Sequence, residues 1–224
     1  MFSAVIMGKK SKLRFDLEKI NESLIEVQEN FELINDQLST HREEFTDVIR
    51  ENMLGAYEYL NELLDDDKDI FADKGLRFML EMNNIVLCGK DQEKRFEYAQ
   101  FLLESQTRFY ENIRPIQKWY KKHDDSNVLK RASEIYVGII SSPQLFNEGN
   151  HRTGSLVTSW ILLREGLPPF VLNIQNAVAF FEPSSQIKFT NKREIGGKLK
   201  LPKYEKAFKK FLESYIDSSY LKKE

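Results

Sequence analysis

Apolar residues near the start of the chain recur at alternating spacings of four and three, which is the pattern of one helix face. The stripe comprises Leu13, Leu17, Ile20, Leu24, Val27, Phe31, Ile34 and Leu38. Its period of about 3.5 residues is also that of a coiled coil. The pattern predicts one long helix over residues 12–38, which either lies on the core of its own chain or pairs with a second copy as a homodimer.

Helical spacing continues along most of the remaining sequence. Thr40 and Glu43 have the spacing of a capping box, which predicts that the next helix starts at Thr40. A further helix is expected over residues 70–88, ending before Gly89. Others are expected over 91–113, 116–122, 127–140 and 155–165. Pro115 predicts either a break or the first turn of a new helix.

The C-terminal third gives a less regular signal. Residues 170–181 fit a helix or a strand, and residues 183–198 read mostly as loop. Residues 202–216 form an amphipathic pattern that predicts a last helix with Pro202 at its start. The chain is therefore expected to be all-α, with an N-terminal helix over residues 1–39 and one helical domain over residues 40–224.

Composition narrows the classes of function. The 224 residues carry 33 Lys and Arg against 35 Asp and Glu, a balance that argues against a general nucleic-acid partner. The single cysteine, Cys88, cannot form an internal disulfide, which fits a reducing compartment. No apolar run is long enough to span a bilayer. These features predict a soluble cytoplasmic protein without a membrane partner, in which the basic stretch from Lys192 to Lys210 is a solvated face.

The stretch SSPQLFNEGNHRTGS, residues 141–155, is the one polar segment enclosed by two strongly apolar helical patterns. A helix N-terminus presents unpaired amides and attracts anions. Gly149 allows close approach of the backbone, Arg152 offers a planar set of donors to phosphate oxygens, and Glu148 offers a carboxylate to Mg²⁺. The segment therefore predicts a nucleotide-phosphate site between two helices.

Two other interpretations compete with a nucleotide-phosphate site. The two glycines of GNHRTGS have the separation found in a P-loop, but the lysine that should follow the second glycine is missing and no strand–helix alternation surrounds it. The other interpretation is an ordinary helix–helix turn, in which Glu148 and Arg152 form a solvated pair.

FNEGNHR resembles the signature of the Fic family (the Fido superfamily), H-P-F-x-(D/E)-G-N-(G/K)-R-x-x-R. The matching residues are Phe146, Glu148, Gly149, Asn150 and Arg152. The surrounding sequence is similar as well, with a preceding apolar helix and, after the motif, a second one that ends in a glycine and two prolines. The resemblance spans roughly residues 40–180 and is strongest over 115–172.

The resemblance implies an all-α core in which the motif loop joins two central helices. It also implies transfer of AMP from ATP, or of another phosphate-containing group, to a hydroxyl of a target protein. In this scheme Glu148 holds Mg²⁺, Phe146 anchors the loop, and the loop amides, Asn150 and Arg152 hold the phosphates of ATP or another nucleotide. By position, Gly149, His151, Gly154 and Ser155 complete the nucleotide-binding set.

The chain departs from the family pattern at the residues that carry the chemistry. Gln144 stands at the catalytic histidine position, and a neutral amide cannot act as a general base. Ser155 replaces the last arginine, which contacts the terminal phosphates in the family. His151 is a weak alternative base seven residues away, and it is better placed as a phosphate contact.

Two accessory features of the family also differ. The segment THREE, Thr40–Glu44, only partly matches the inhibitory helix, and with Ser155 in place of arginine its usual ion pair cannot form. The hairpin that aligns target proteins is replaced by residues 91–109, which have a helical pattern.

Three hypotheses follow from the sequence. The first is a Fic-like pseudoenzyme that binds a nucleotide, and a protein partner, without AMP transfer. The second is an active Fic-type transferase with an altered donor or base. The third is a structural helical interaction protein in which the loop has no ligand.

Overall fold

The computed structural model describes residues 13–223, and within them the fold is all-α, as predicted. Ten α-helices are joined by mostly short connections, and a two-stranded sheet pairs the two ends of the described chain. The helices are α1 (Leu17–Glu29), α2 (Phe31–Asn35), α3 (Asp47–Asp65), α4 (Leu76–Cys88), α5 (Gln92–Glu97), α6 (Ala99–Lys122), α7 (Val128–Ile140), α8 (Asn150–Arg164), α9 (Ala177–Lys188) and α10 (Ile195–Tyr215).

Helix α8 is the centre of the molecule. Twelve of its fifteen residues are buried, and the buried run from Thr153 to Leu163 covers every side of the helix. It packs on α7, α4 and α3. A Cβ atom on Gly154 would lie 3.1 Å from the Tyr136 ring, so this glycine lets α7 and α8 approach closely. The segment before α8 is therefore held between two central helices.

The sheet joins β1 (Leu13–Phe15) to β2 (Leu221–Lys223) in antiparallel register. The side chain of Asn61 in α3 bonds to both backbone groups of Phe15: its Oδ1 accepts from the Phe15 amide at 2.8 Å, and its Nδ2 donates to the Phe15 carbonyl at 3.0 Å. Asp16 then caps α1 by accepting from the Lys19 amide. The two ends of the described chain are thereby fixed to the helical core.

The prediction of one helix over residues 12–38 is wrong for the described part of that range. Residues 13–15 form β1, α1 ends at Glu29, and the Asn30 side chain donates to the Glu26 carbonyl at the break. The apolar stripe from Ile20 to Leu38 is nevertheless buried in the core of the same chain. Of the two expected roles, the structure shows core packing, and the stripe presents no free apolar seam to a second copy.

Three further boundaries differ from the sequence pattern. Helix α3 is capped by Thr46, whose side chain accepts from the Ile49 amide, and not by Thr40. Pro115 lies inside α6, where burial of Ile113 and Ile116 on both sides offsets the local cost of proline. Pro202 likewise lies inside α10 and not at its start.

The ambiguous and loop-like segments are largely helical. Residues 170–176 are irregular and α9 begins at Ala177, where the Asn176 side chain donates to the Val171 carbonyl. Residues 183–188 belong to α9 and residues 195–198 to α10, and Ile187 is buried in the core. No helix in the described range is long and apolar enough to cross a membrane.

Candidate functional site

The loop between α7 and α8, residues 141–149, is held in place by its own buried residues. Phe146 is fully buried and stacks on Phe109, with ring centroids 5.2 Å apart. The Asn150 side chain bonds to the backbone of Phe146 through both of its polar atoms, accepting at 2.8 Å and donating at 2.9 Å. Asn150 therefore braces the loop, and its amide is already engaged within the protein.

Gly149 makes the turn into α8. Its φ of 73° lies in the left-handed region, and a Cβ there would come within 3.0 Å of the Asn83 side chain. Asn83, in α4, donates to the Glu148 carbonyl and to the Thr153 hydroxyl. No side chain caps α8, so its first amides are open to an anion.

The N-terminus of α8 borders a cavity of about 380 Å³. A second wall is the segment 36–46, here called the strap, which joins α2 to α3 and has no regular secondary structure over residues 41–46. α9 provides the third side. The apolar part of the lining consists of Leu24, Phe31, Phe45, Ile49, Met53, Tyr57, Leu172, Phe180 and Phe181.

Three cationic side chains line the cavity: Arg42 from the strap, Arg152 from α8 and Lys188 from α9. Arg42 donates to the Phe181 carbonyl and to the hydroxyls of Ser184 and Ser185, and Arg152 donates to the Val86 carbonyl. Among the described residues, no carboxylate oxygen lies within 4.0 Å of any of the three cations. Glu43, Glu44 and Glu148 also line the cavity, so its cations and carboxylates are equal in number but are not directly paired.

Burial affects both arginines. Desolvation lowers the pKa of Arg42, while Tyr136 and Glu182 act in the opposite direction. Desolvation also lowers the pKa of Arg152, opposed by Glu148 and Glu43. Both guanidinium groups stay charged at any ordinary pH. An anionic ligand would relieve the cost of holding these charges partly out of water.

His151 lies in the first turn of α8. Its Nδ1 is 3.3 Å from the Tyr136 hydroxyl, and its Nε2 is buried without a hydrogen-bond partner among the described residues. Burial, together with the charges of Arg42 and Lys188, lowers the pKa of His151 to about 3. The imidazole is therefore neutral at neutral pH, and it lines the cavity next to the open amides.

Gln144 supplies no proton acceptor suited to catalysis. Its Nε2 donates to the Ile140 carbonyl at 3.2 Å, and its backbone oxygen accepts from Arg108 Nε at 3.1 Å. Glu148 has an exposed side chain and lines the cavity. The Ser155 hydroxyl donates to the Arg152 carbonyl, so it restores no positive charge at that position.

The fold brings together all but one of the site residues expected from sequence. Gln144, Glu148, Gly149, Asn150, His151, Arg152 and Ser155 line one cavity. Gly154 is the exception, because it faces Tyr136 in the α7–α8 contact. Gly154 therefore does not line the cavity, and a side-chain contact by Asn150 to a phosphate would require Asn150 to release Phe146.

The sequence pattern did not single out Arg42 or Lys188 as site residues. Arg42 stands in the THREE segment, whose charges suggested a cap or an inhibitory helix. In the structure this part of the strap is not helical, and His41, Glu43 and Glu44 line the cavity beside Arg42. Lys188 lies within the segment 183–198 that the sequence predicts as loop, and only the packing of α9 beside the strap reveals its place at the cavity.

A magnesium ion would find one carboxylate on this cavity loop, that of Glu148. The described residues contain no cluster of three or more His, Cys, Asp or Glu side chains arranged to hold a metal. Magnesium commonly binds one or two carboxylates together with substrate phosphates and water. Glu148 therefore fits magnesium that arrives with a nucleotide, and not a resident structural metal.

Comparison with known proteins adds no relative. No family model, no curated protein and no solved structure matches the chain.

Proposed function

We propose that this chain is a Fic-like protein that binds a nucleotide in the α8 cavity and lacks the AMP-transfer chemistry of the family. The observation that carries the proposal is the position of Arg42, Arg152 and Lys188 around one cavity, where no carboxylate oxygen of the described residues lies within 4.0 Å of any of them. The uncapped N-terminus of α8 opens onto the same space. Phosphate oxygens are the ligand groups that suit both features.

The remaining part of the cavity suits the rest of a nucleotide. Its wall includes the rings of Phe31 and Phe181, whose centroids are 6.2 Å apart and nearly perpendicular. Small-molecule sites usually combine such an apolar lining with a few polar groups that fix orientation. The base would contact the aromatic wall, and the phosphates would face Arg152 and the α8 amides.

Magnesium belongs to the proposal as a partner of the phosphates. Glu148 would be its protein ligand, as the motif implies, and water and phosphate oxygens would supply the remaining ligands. When bound, the ion would neutralise phosphate charge. Arg152, Lys188 and the α8 amides act on the same phosphates directly.

The proposed lack of AMP transfer follows from the absence of a suitable general base at the position of the family's catalytic histidine. Gln144 cannot accept a proton, and His151, with a pKa of about 3, takes up a proton poorly at neutral pH. A positioned base typically contributes on the order of 10²- to 10⁴-fold to rate. Modification of a target hydroxyl would therefore be slower by about that factor.

Titration calorimetry on the full chain tests the binding step, with ATP in the presence and absence of Mg²⁺, and with inorganic pyrophosphate. We expect ATP to bind to the natural chain. Arg152→Ala should weaken ATP binding at least tenfold and Lys188→Ala several-fold, because each change removes a hydrogen-bond donor to the phosphates. Lys122→Ala, at an exposed lysine at the end of α6 outside the cavity, is the matched control and should leave affinity unchanged. Absence of binding by every probe would favour a structural helical module.

Radiolabelled ATP incubated with cell lysate tests the chemistry. We expect no label on protein with the natural chain, because the base is missing. Label transferred by the natural chain would instead support an active transferase with another base. Gln144→His supplies an imidazole at the family position, and transfer gained by that variant would indicate that the base alone was missing.

A further inference from the structure

The connection between α9 and α10 carries an exposed apolar cluster. Phe189, Ile195 and Leu199 are 74%, 79% and 77% exposed, which places them among the most exposed large apolar side chains of the described chain. All three fall within eleven residues. A Cβ atom on Gly197 would overlap the Asn191 carbonyl, so the connection folds tightly against the first turn of α10. We call Phe189, Ile195 and Leu199, with the exposed lysines at 198, 200, 203 and 206, the α10 tip.

The α10 tip lies outside the packed core. The buried residues of α10 are Gly197, Phe208 and Leu212, and the helix uses this face to pack on α7 and α9. Ile195 and Leu199 are one turn apart on an exposed face that continues into Lys203 and Lys206. The start of α10 therefore presents apolar side chains first and lysines directly after them.

Charge distribution distinguishes this surface from the rest of the molecule. Residues 188–210 contain nine lysines and arginines against two glutamates, whereas the whole chain has a net charge of -2. One of the two glutamates, Glu194, accepts from the Asn191 side chain at 2.7 Å. The other, Glu205, faces the space between α6, α7 and α10. Lys188 lines the α8 cavity and Lys192 donates to the carbonyls of Gly138 and Ser141, so the positive charge of the tip comes from the four exposed lysines at 198, 200, 203 and 206, beside the exposed Glu194.

We propose that the α10 tip docks the protein on a membrane surface rich in anionic lipid headgroups. Three exposed apolar side chains would enter the boundary between headgroups and acyl chains, while the flanking lysines contact the headgroups. A nucleic-acid backbone offers no comparable environment for the apolar side chains, which is why an anionic bilayer fits better. This surface replaces the solvated face that the sequence pattern predicts, and it requires no membrane-spanning helix.

Vesicle co-sedimentation with the full chain, without nucleotide, tests the proposal. We expect binding to vesicles of phosphatidylcholine mixed with phosphatidylglycerol, weak binding to phosphatidylcholine alone, and loss of binding at high salt. Ile195→Ser combined with Leu199→Ser should lower the partition coefficient at least tenfold. Leu33→Ser is the matched control, because Leu33 is 64% exposed on α2, far along the chain from the tip.

A second variant distinguishes a loss of membrane binding from a loss of folding. Lys198→Glu combined with Lys200→Glu changes only exposed side chains and should also abolish binding while leaving the thermal unfolding curve unchanged. The proposal would be overturned by equal binding to neutral vesicles, by an equal loss in Leu33→Ser, or by no binding to anionic vesicles. A natural chain that self-associates, and that becomes monomeric in the Ile195→Ser, Leu199→Ser variant, would assign the tip to a second copy instead.

Discussion

Asn150 is a motif residue whose side chain stabilises the loop and is not free to bind a ligand. Its side chain is buried and bonds to both backbone groups of Phe146. Buried backbone groups without partners are costly, so these bonds fix the loop before any ligand arrives. In the proposed nucleotide site, the phosphates would therefore depend on the α8 amides, Arg152 and the cations from other elements.

Glu205 gives a prediction of pH dependence at the residue scale. Burial and the nearby Glu134 raise the pKa of Glu205 to about 7, while Lys130 acts in the opposite direction. Lys192, Arg193 and Glu111 line the same space between α6, α7 and α10. Because the folded-state pKa lies above the usual value of 4.5, folding favours the protonated acid, and stability is lost as pH rises from 4.5 through 7.

Glu205→Gln removes that penalty. We expect the free energy of unfolding to rise by about 1 kcal/mol at pH 8 and to change little at pH 4.5, after discounting for the partial exposure of the carboxyl. Urea titrations at the two pH values measure the difference. Glu22→Gln, at an exposed glutamate on α1, is the control and should show no such pH dependence. A gain in stability of the Glu205→Gln variant that is equal at both pH values would contradict the assignment.

At the scale of elements, the start of α3 shows that the spacing of a capping box in the sequence does not by itself form a helix cap. Thr40 and Glu43 have the spacing of a capping box, yet the strap is not helical there and Thr46 caps α3. The strap is held away from helical geometry because Arg42 donates to α9 and the Ser39 side chain hydrogen-bonds to Glu182. Local sequence allows a helix from Thr40, and contacts with α9 prevent it.

Thr46→Ala and Thr40→Ala form a matched pair that tests this boundary. We expect Thr46→Ala to lower the free energy of unfolding by about 1 kcal/mol, since the Ile49 amide loses its partner. Thr40→Ala should change it by less than about 0.5 kcal/mol, because its side chain is exposed. Denaturant unfolding of both variants measures the two changes in free energy of unfolding. A larger change in Thr40→Ala than in Thr46→Ala would support a helix that starts at Thr40.

At the scale of the whole molecule, the N-terminal stripe is part of the core. Ile20, Leu24 and Val27 are buried, and Phe31 contacts the rings of Phe45 and Phe181. Leu24 and Phe31 also line the cavity, so the segment contributes to the site as well as to stability. A coiled-coil seam would need these same side chains to face a second chain.

Deleting residues 1–38 tests this role. We expect the shortened chain to lose cooperative thermal unfolding and to expose apolar surface, because α3 and α9 lose their packing partner. Circular dichroism melting and dye binding report both effects, and Leu33→Ser in the full chain is a control that should melt normally. A shortened chain that remains a cooperatively folded monomer would show that the segment is an appendage.

The sequence by itself determined the helical class, the buried stripe and the position of the polar loop between two apolar helices. These features follow from periodicity and from local residue types, which act over a few turns of chain. FNEGNHR, the segment that resembles the Fic signature, is also the segment that borders the cavity. Gln144 and Ser155 were already visible as departures from that signature.

Only the tertiary structure decided which groups meet at the site. Arg42 and Lys188 reach the cavity because the strap and α9 pack beside α8, although Arg42 precedes Arg152 by 110 residues and Lys188 by 146 residues along the chain. The start of α3 at Thr46 was decided in the same way, because the strap bonds to α9 and is not helical at Thr40. Contacts between distant segments can outweigh the small free-energy differences between local conformations.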